Sequence, residues 1–210
     1  MFRVPIARQF SHPEGLAGRL VGRFMALTNS GMNRFAAELL DPQPQDRVLE
    51  IGFGPGEAIR LIAGNVASVS GIDPSEVMLD EARQRNRAAI RERTVELRQA
   101  SISAIPYEDG TFDKVFTVNT IYFWERPQDD LREVLRVLKP EGRLVVVFRA
   151  GRGLDGEVRV RPALVPRETL GEVTGWFRSA GFKGVDTELR IWPLQMVAGI
   201  SAYKPAGSAD

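Results

Sequence analysis

The chain has no cysteine and a single histidine, His12, among its 210 residues. The first absence excludes disulfides, thiolate nucleophiles and cysteine-held metal or iron–sulfur centres. Radical chemistry that starts from a cysteine-bound cluster goes with them. The second leaves no set of imidazoles for a metal site, so no metal is expected. An excess of one charge is missing as well. Lysines and arginines number 28 against 27 aspartates and glutamates, a formal net charge of +1. A dedicated nucleic-acid binder usually carries a basic excess, so no nucleic-acid partner is expected. No apolar run approaches the roughly 20 residues of a membrane-spanning helix. The opening residues, Met-Phe-Arg-Val-Pro-Ile-Ala-Arg, lack the apolar core of a secretory signal. Both features lead to the expectation of a soluble, cytoplasmic protein. With 43% hydrophobic and 26% charged residues, the composition is that of one globular domain with a sizeable core.

What is present is a glycine-rich turn. Residues 48–59 read Val-Leu-Glu-Ile-Gly-Phe-Gly-Pro-Gly-Glu-Ala-Ile. A strand carrying Val48, Leu49 and Ile51 runs into glycines at 52, 54 and 56, and a helix starts at once. Glycines suit a place where backbone bends sharply and touches a ligand, because no Cβ intrudes. A strand-to-helix turn at the carboxyl edge of a parallel sheet is where nucleotide-like ligands bind. A dinucleotide loop, G-x-G-x-x-G, would put its third glycine at position 57, which is Glu57. That disfavours a nicotinamide-dependent oxidoreductase.

Around this turn strands and helices alternate. Strands are expected at 47–52, 68–73, 95–100, 112–119 and 143–149, helices at 57–65, 75–90, 127–138 and 167–180. Two more strands, at 185–191 and 196–203, are joined by Trp192-Pro193-Leu194, too short for a parallel crossover, so they pair antiparallel. The expected fold is α/β, a doubly wound, mostly parallel seven-stranded sheet with a C-terminal antiparallel hairpin. Residues 41–204 form that domain and 205–210 a disordered tail. Residues 1–40 form a helical segment. Ser11 caps its first helix, with Pro13 in the first turn and Glu14 three residues on. A second helix covers about 32–40.

The run of two hydrophobic residues, an acid, a hydrophobic residue and G-x-G-x-G resembles the cofactor loop of the class I, Rossmann-like S-adenosylmethionine (SAM) methyltransferases. The closing hairpin is similar to theirs, and the resemblance covers about residues 41–204. Within that class the chain resembles the ubiquinone/menaquinone-biosynthesis type. The resemblance implies SAM as cofactor. It assigns Gly52, Gly54 and Gly56 to the cofactor loop, Asp73 to the ribose hydroxyls and Pro74 to the adenine, and it places Asn119 among the cofactor-binding residues. Asp73 lies about twenty residues past the loop, the spacing for an acid on a ribose. A second reading stays open, in which Asp73 only caps the helix beginning at Ser75. Glu50 supports the loop and the methionine end, or makes a structural hydrogen bond to backbone. Ile105-Pro106-Tyr107 matches the family's Leu-Pro-Phe. Ser101 stands where the family has an adenine-binding Asp, and a hydroxyl accepts more weakly. Ile102 presents its backbone N–H to the ring.

The fourth strand leads to Asn119-Thr120-Ile121-Tyr122-Phe123-Trp124-Glu125, the edge that faces methyl group and acceptor in this family. Asn119 and Tyr122 keep the spacing of the Asn-Pro-Pro-Tyr motif of nucleic-acid adenine methyltransferases, but both prolines are missing. Tyr122, Phe123 and Trp124 form an aromatic wall or core. Tyr122, Glu125 and His12 are the candidate bases, although orientation alone can supply much of the rate. The charged residues of 131–142 are expected on a solvated helix face, opposite a stripe of Leu131, Val134, Leu135 and Leu138. Gly15, Gly18 and Gly22 fit a flexible lid made by the N-terminal segment, close packing, or a homodimer contact. Residues 151–166 look irregular and shape the acceptor pocket, with Arg152, Arg159 and Arg161 either holding an acidic acceptor or exposed. The expected function is SAM-dependent methyl transfer to an oxygen, carbon or nitrogen of a small-molecule acceptor, by direct displacement without metal. The alternative is a non-catalytic module that holds SAM or a nucleotide.

Overall fold

The computed structural model describes residues 29–153, 155–160, 168–192 and 195–207. The chain is helical over 29–40, here α1. There follow β1 (Arg47–Ile51), α2 (Glu57–Ile62), β2 (Ser68–Asp73), α3 (Glu76–Arg85), α4 (Arg87–Arg91), β3 (Val95–Gln99) and β4 (Phe112–Val118). A 3-10 turn at Ile121–Phe123 leads into α5 (Pro127–Val137). Then come β5 (Leu138–Arg152), β6 (Val158–Val160), α6 (Leu170–Ala180), β7 (Lys183–Trp192) and β8 (Gln195–Tyr203).

The sheet runs β3-β2-β1-β4-β5-β8-β7, with β6 beside β5. The five strands from β3 to β5 are mutually parallel, and β8 lies antiparallel between β5 and β7. Side chains alternate across a strand, so successive apolar residues feed two cores. Leu49, Leu144, Val146 and Phe148 pack with α5 and α6 through Leu131, Val134 and Phe177. Val48, Val145 and Val147 pack on the other face with Met32 and Phe35 of α1, Ile59 of α2 and Met78 of α3. Burial on both faces explains why β5 reads as a continuous apolar run instead of an alternating one.

The structure departs from the sequence expectations in four places. The sheet has eight strands, not seven, because β6 forms inside the stretch expected to be irregular. Val158 pairs with Arg152 and Val160 with Ala150, which buries Val160. The helix expected over 75–90 breaks at Asn86, whose buried Nδ2 donates to the carbonyls of Ala82 and Gly56, both at 3.0 Å. The last helix starts at Leu170, not at 167. Thr169 caps it by accepting from the Glu172 N–H, while the Glu172 carboxylate accepts from the Thr169 N–H. Finally, β5 begins at Leu138 and bulges over 139–142, where Glu141 takes φ 61°. Residues 1–28 lie outside the described residues, and with them His12, the Ser11 cap and Gly15, Gly18 and Gly22. So do Arg161, Pro193, Leu194 and 208–210.

Candidate active site

The glycine loop is held from below by β2. The Gly52 N–H donates to the Ile72 carbonyl at 2.7 Å, and the Gly56 N–H closes the turn onto the Phe53 carbonyl at 2.9 Å. Gly52 and Gly56 have φ of 70° and 78°, the left-handed region that side chains with a Cβ avoid. Space forbids a Cβ as well. At Gly52 it would run into the Thr120 methyl. At Gly56 it would lie 2.6 Å from Asn86 Nδ2 and 2.8 Å from the Ala82 Cβ. Gly54 also has a positive φ, 50°, but nothing lies within 4 Å of its absent Cβ. Two glycines thus answer to the protein, and the middle one faces open space. Arg85 fastens the turn from α3. It donates to the Pro55 carbonyl and pairs with Glu57 at 3.0 Å.

Asp73 ends β2 against this loop and is 7% exposed. Its Oδ2 accepts from the Gly54 N–H and its Oδ1 from the Ser75 N–H, both at 2.9 Å. The cap of α3 is Ser75 itself, whose Oγ accepts from the Met78 N–H at 3.4 Å. Asp73 therefore joins the loop to the start of α3 and is not the capping residue. Pro74, next to it, is exposed.

Glu50 is 3% exposed in the middle of β1, and its Oε2 has no hydrogen-bond partner. Burial, followed by the negative charge of Asp73, pushes its carboxyl well above the usual carboxylate range, against a smaller opposing pull from the Ile59 backbone. Above Glu50 lies a cavity of about 40 Å³ that Asn29 and Asn33 of α1 share with Gly52, Gly54 and Val118. A cleft of about 330 Å³ adjoins it between α1 and α2, with Asn33 and Glu57 lining both.

The segment after β3 is tied down by α5. Ser101 is exposed, and its Oγ accepts from the Ser103 N–H at 3.3 Å. Ile102 is half-buried. The Ser103 hydroxyl donates to the buried Asp130 at 2.7 Å, and the Ile105 N–H to Glu133 at 2.9 Å. Arg136 donates to the carbonyls of Ile105 and Tyr107, and its guanidinium holds the Glu133 carboxyl below the usual range. These charges, expected on a solvated face, instead fix the loop that carries Ser101 and Ile102.

A methyltransferase-domain family matches residues 49–146. Demethylmenaquinone methyltransferase of Clavibacter sepedonicus is 33% identical over 196 residues, 79% of this chain and 76% of that protein. The chain belongs to the SAM-dependent methyltransferases. The uncharacterized methyltransferase YdaC of Bacillus subtilis is 28% identical over 189 residues, 89% of this chain and 99% of its own. Among solved structures, a SAM-dependent methyltransferase from Aquifex aeolicus has the same fold. It gives a TM-score of 0.65 at 21% identity, over 81% of this chain and 88% of that one. The enzyme's cofactor is S-adenosyl-L-methionine. The cradle described above fits such a group. It has open space over Gly54, a buried carboxylate oxygen without a partner, and an acid on the next strand.

The other half of the methyltransferase's sheet edge is built from side chains. Asn119 follows β4 with φ 59°. Its Nδ2 donates to Asn29 Oδ1 at 3.1 Å, and its Oδ1 accepts from the Tyr122 hydroxyl at 2.9 Å. That hydroxyl in turn accepts from the Arg149 N–H at 2.7 Å. Burial raises the Tyr122 phenol far above its ordinary range. Glu125 is exposed and makes no hydrogen bond among the described residues. The aromatic wall is split, with Trp124 buried and Phe123 46% exposed. Arg152 donates to the Gly156 carbonyl, and Arg159 forks onto Asp155.

The structure thus brings Glu50, the three glycines and Asp73 into one cluster and Asn119 with Tyr122 into a second. Glu125 joins neither. Sequence reasoning missed Asn29, Asn33, Asn86 and Arg149. The legible signal for the last was a lone charge closing the apolar run of β5.

Proposed function

We propose that this methyltransferase acts on a small-molecule acceptor presented at the carboxyl ends of β4 and β5, beside the glycine loop. The observation that carries this reading is the position of α1, whose Asn29 and Asn33 lie across the loop and line the cavity of about 40 Å³ over Glu50. A site partly covered by the enzyme's own helix suits a small acceptor better than a polymer. The net charge of +1 agrees, and so does the acceptor named in the Clavibacter relative.

Bound SAM supplies a methyl group on a sulfonium, with its leaving group already in place. In our reading the Asp73 carboxylate, oriented by the Gly54 and Ser75 N–H groups, accepts from the ribose hydroxyls. Glu50 offers its unpaired oxygen to the amino-acid end, and Gly54 allows close approach of the backbone. Pro74, Ser101 and Ile102 line the adenine side. Asn119 and Tyr122 serve as positioning residues. A phenol this hard to ionise, already donating to Asn119, is a poor general base near neutral pH. The exposed Glu125, and His12 beyond the described residues, keep their candidacy as bases. Neither is required, because holding the acceptor in line supplies much of the rate.

The test is transfer of labelled methyl from SAM in a cell extract fractionated into metabolites, protein and nucleic acid. Label is expected in the metabolite fraction. Label confined to protein or nucleic acid would overturn the reading.

A further inference from the structure

We propose that Arg149 recognises the acceptor, and that the acceptor carries a carboxylate or a comparable anionic group. The proposal rests on the small-molecule reading above. Arg149 follows the buried run of β5 and pairs with Val197 of β8. Its side chain lies on the α1 face, where Nη2 donates to Asn29 Oδ1 at 3.3 Å. That is its one side-chain hydrogen bond among the described residues. Among the described residues its buried Nε has no partner, and no carboxylate lies within ion-pair distance. A guanidinium has five donors, and proteins seldom leave a buried donor unmatched without cause.

The neighbouring arginines show how unusual this is. Arg190 of β7, on the same face, pairs with Glu38 and Glu188 and lies 4.1 Å over the Phe35 ring. Arg143 also has a buried, unmatched Nε, but it sits at the other end of β5, with its guanidinium over the Tyr203 ring at 5.4 Å. Of the arginines that the sequence offered for an acidic acceptor, Arg152 and Arg159 are engaged within their own loop, and Arg161 lies outside the described residues.

Position assigns Arg149 to the acceptor and not to the cofactor. The strand order is β1-β4-β5, so the end of β5 stands two strand spacings, roughly 10 Å, from the glycine loop at the end of β1. Asn29 spans the gap, lining the cavity at the loop and accepting from Arg149. The Arg149 backbone is fixed as well, since its N–H donates to the Tyr122 hydroxyl and to Asn119 Oδ1. A guanidinium held this way offers a planar fork that a carboxylate meets with two parallel hydrogen bonds.

Two measurements test this. In the first, benzoate and then benzamide are titrated into the protein saturated with S-adenosylhomocysteine. The Arg149 Nε–H is followed by NMR and assigned from its loss in R149K. Benzoate should shift that resonance and benzamide should not. In the second, labelled methyl transfer is measured over matched pairs of hydroxy- or aminobenzoic acids and their methyl esters. Acids should be preferred. R149M should raise KM for the acid about tenfold to hundredfold, the range for hydrogen bonds to a charged group, and leave the ester and SAM affinity nearly unchanged. R149K keeps the charge without the fork and should recover part of the loss. Either variant keeps the backbone N–H bonds, so matching melting temperatures establish that both fold.

Acids and esters used alike, with no benzoate response, would sink the anion site and leave the small-molecule reading standing. Weakened SAM binding in R149M at unchanged acceptor KM would also sink it, by assigning the guanidinium to the cofactor. Label reaching only macromolecules would fail the small-molecule reading first and the anion site with it.

Discussion

The two halves of the sheet's carboxyl edge are built in different ways. Around β1 and β2 the decisive contacts join near neighbours. Asp73 accepts from residues 19 and 2 positions away, in both cases from a backbone N–H. Around β4 and β5 they join side chains far apart in the chain, with Asn119 and Arg149 reaching Asn29 across 90 and 120 residues. A half that serves the same cofactor in every turnover can be written into local backbone geometry. The half that faces the acceptor is assembled only when the sheet and α1 come together.

The sharpest way to break this contrast is at the loop. Gly52→Ala meets both left-handed strain, about 1–2 kcal/mol, and a collision with Thr120, for which overpacking adds about 1–3 kcal/mol. Gly54→Ala meets the strain alone. Urea unfolding should show the first variant losing clearly more stability, while calorimetry shows both losing cofactor affinity. Equal stability losses would mean that Thr120 does not crowd the loop as described.

Asp73→Ala comes next. It should weaken SAM binding by about 1.5–3 kcal/mol, the scale for hydrogen bonds to a charged group. Because the carboxylate also holds the N–H groups of Gly54 and Ser75, the variant should lose stability too. SAM affinity equal to the parent's would leave Asp73 with the structural role alone.

The same contrast explains what was legible. The strand at Ser68–Asp73 was readable to the residue, and β1, β3 and β4 to within one residue, because apolar runs between glycine and proline breaks are local signals. β6 was not, since two valines flanking Arg159 form a strand only when Ala150–Arg152 lies alongside. Nothing in the sequence of α5 separates Glu133 and Arg136 from an ordinary solvated face until the 101–107 loop lies against them. The cofactor cluster was legible in glycine spacing and one acid. Asn29 and Arg149 carry no motif, and their meaning comes from a hydrogen bond made across most of the chain.

Glu50 sharpens the comparison through pH. Its carboxyl is raised in the folded state by burial and by Asp73, whereas in the unfolded chain it titrates near 4.3. The neutral form therefore supports the fold fully below that value. The contribution is lost as pH rises towards the folded pKa. Glu50→Gln keeps the neutral shape at all pH. Its melting temperature should exceed the parent's by a margin that grows as pH rises from acid towards the folded pKa. Its SAM affinity should fall about tenfold, because the amide cannot ionise against the ammonium end of SAM. A margin independent of pH would mean that Glu50 is ionised in the folded enzyme.

The smallest effect is expected at Tyr122, and it separates positioning from proton transfer. The hydroxyl accepts from the Arg149 N–H and donates to Asn119 Oδ1, so it joins the ends of β4 and β5. Tyr122→Phe removes both bonds while Asn119 keeps its contact with Asn29. A net hydrogen bond contributes about 0.5–1.5 kcal/mol, so stability should fall by about 1–2 kcal/mol. The acceptor site next to Arg149 should loosen with it, raising KM more than it lowers kcat. Removing a true general base would instead lower kcat by about 10²–10⁴-fold and abolish the limb of the pH–rate profile that reports its ionisation. Burial holds the phenol protonated far into the alkaline range, so that limb should be the same in parent and variant. A kcat loss on the larger scale with a vanished limb would make Tyr122 a catalytic residue. A KM-dominated change with an unaltered profile would leave it as the joint between the two strands.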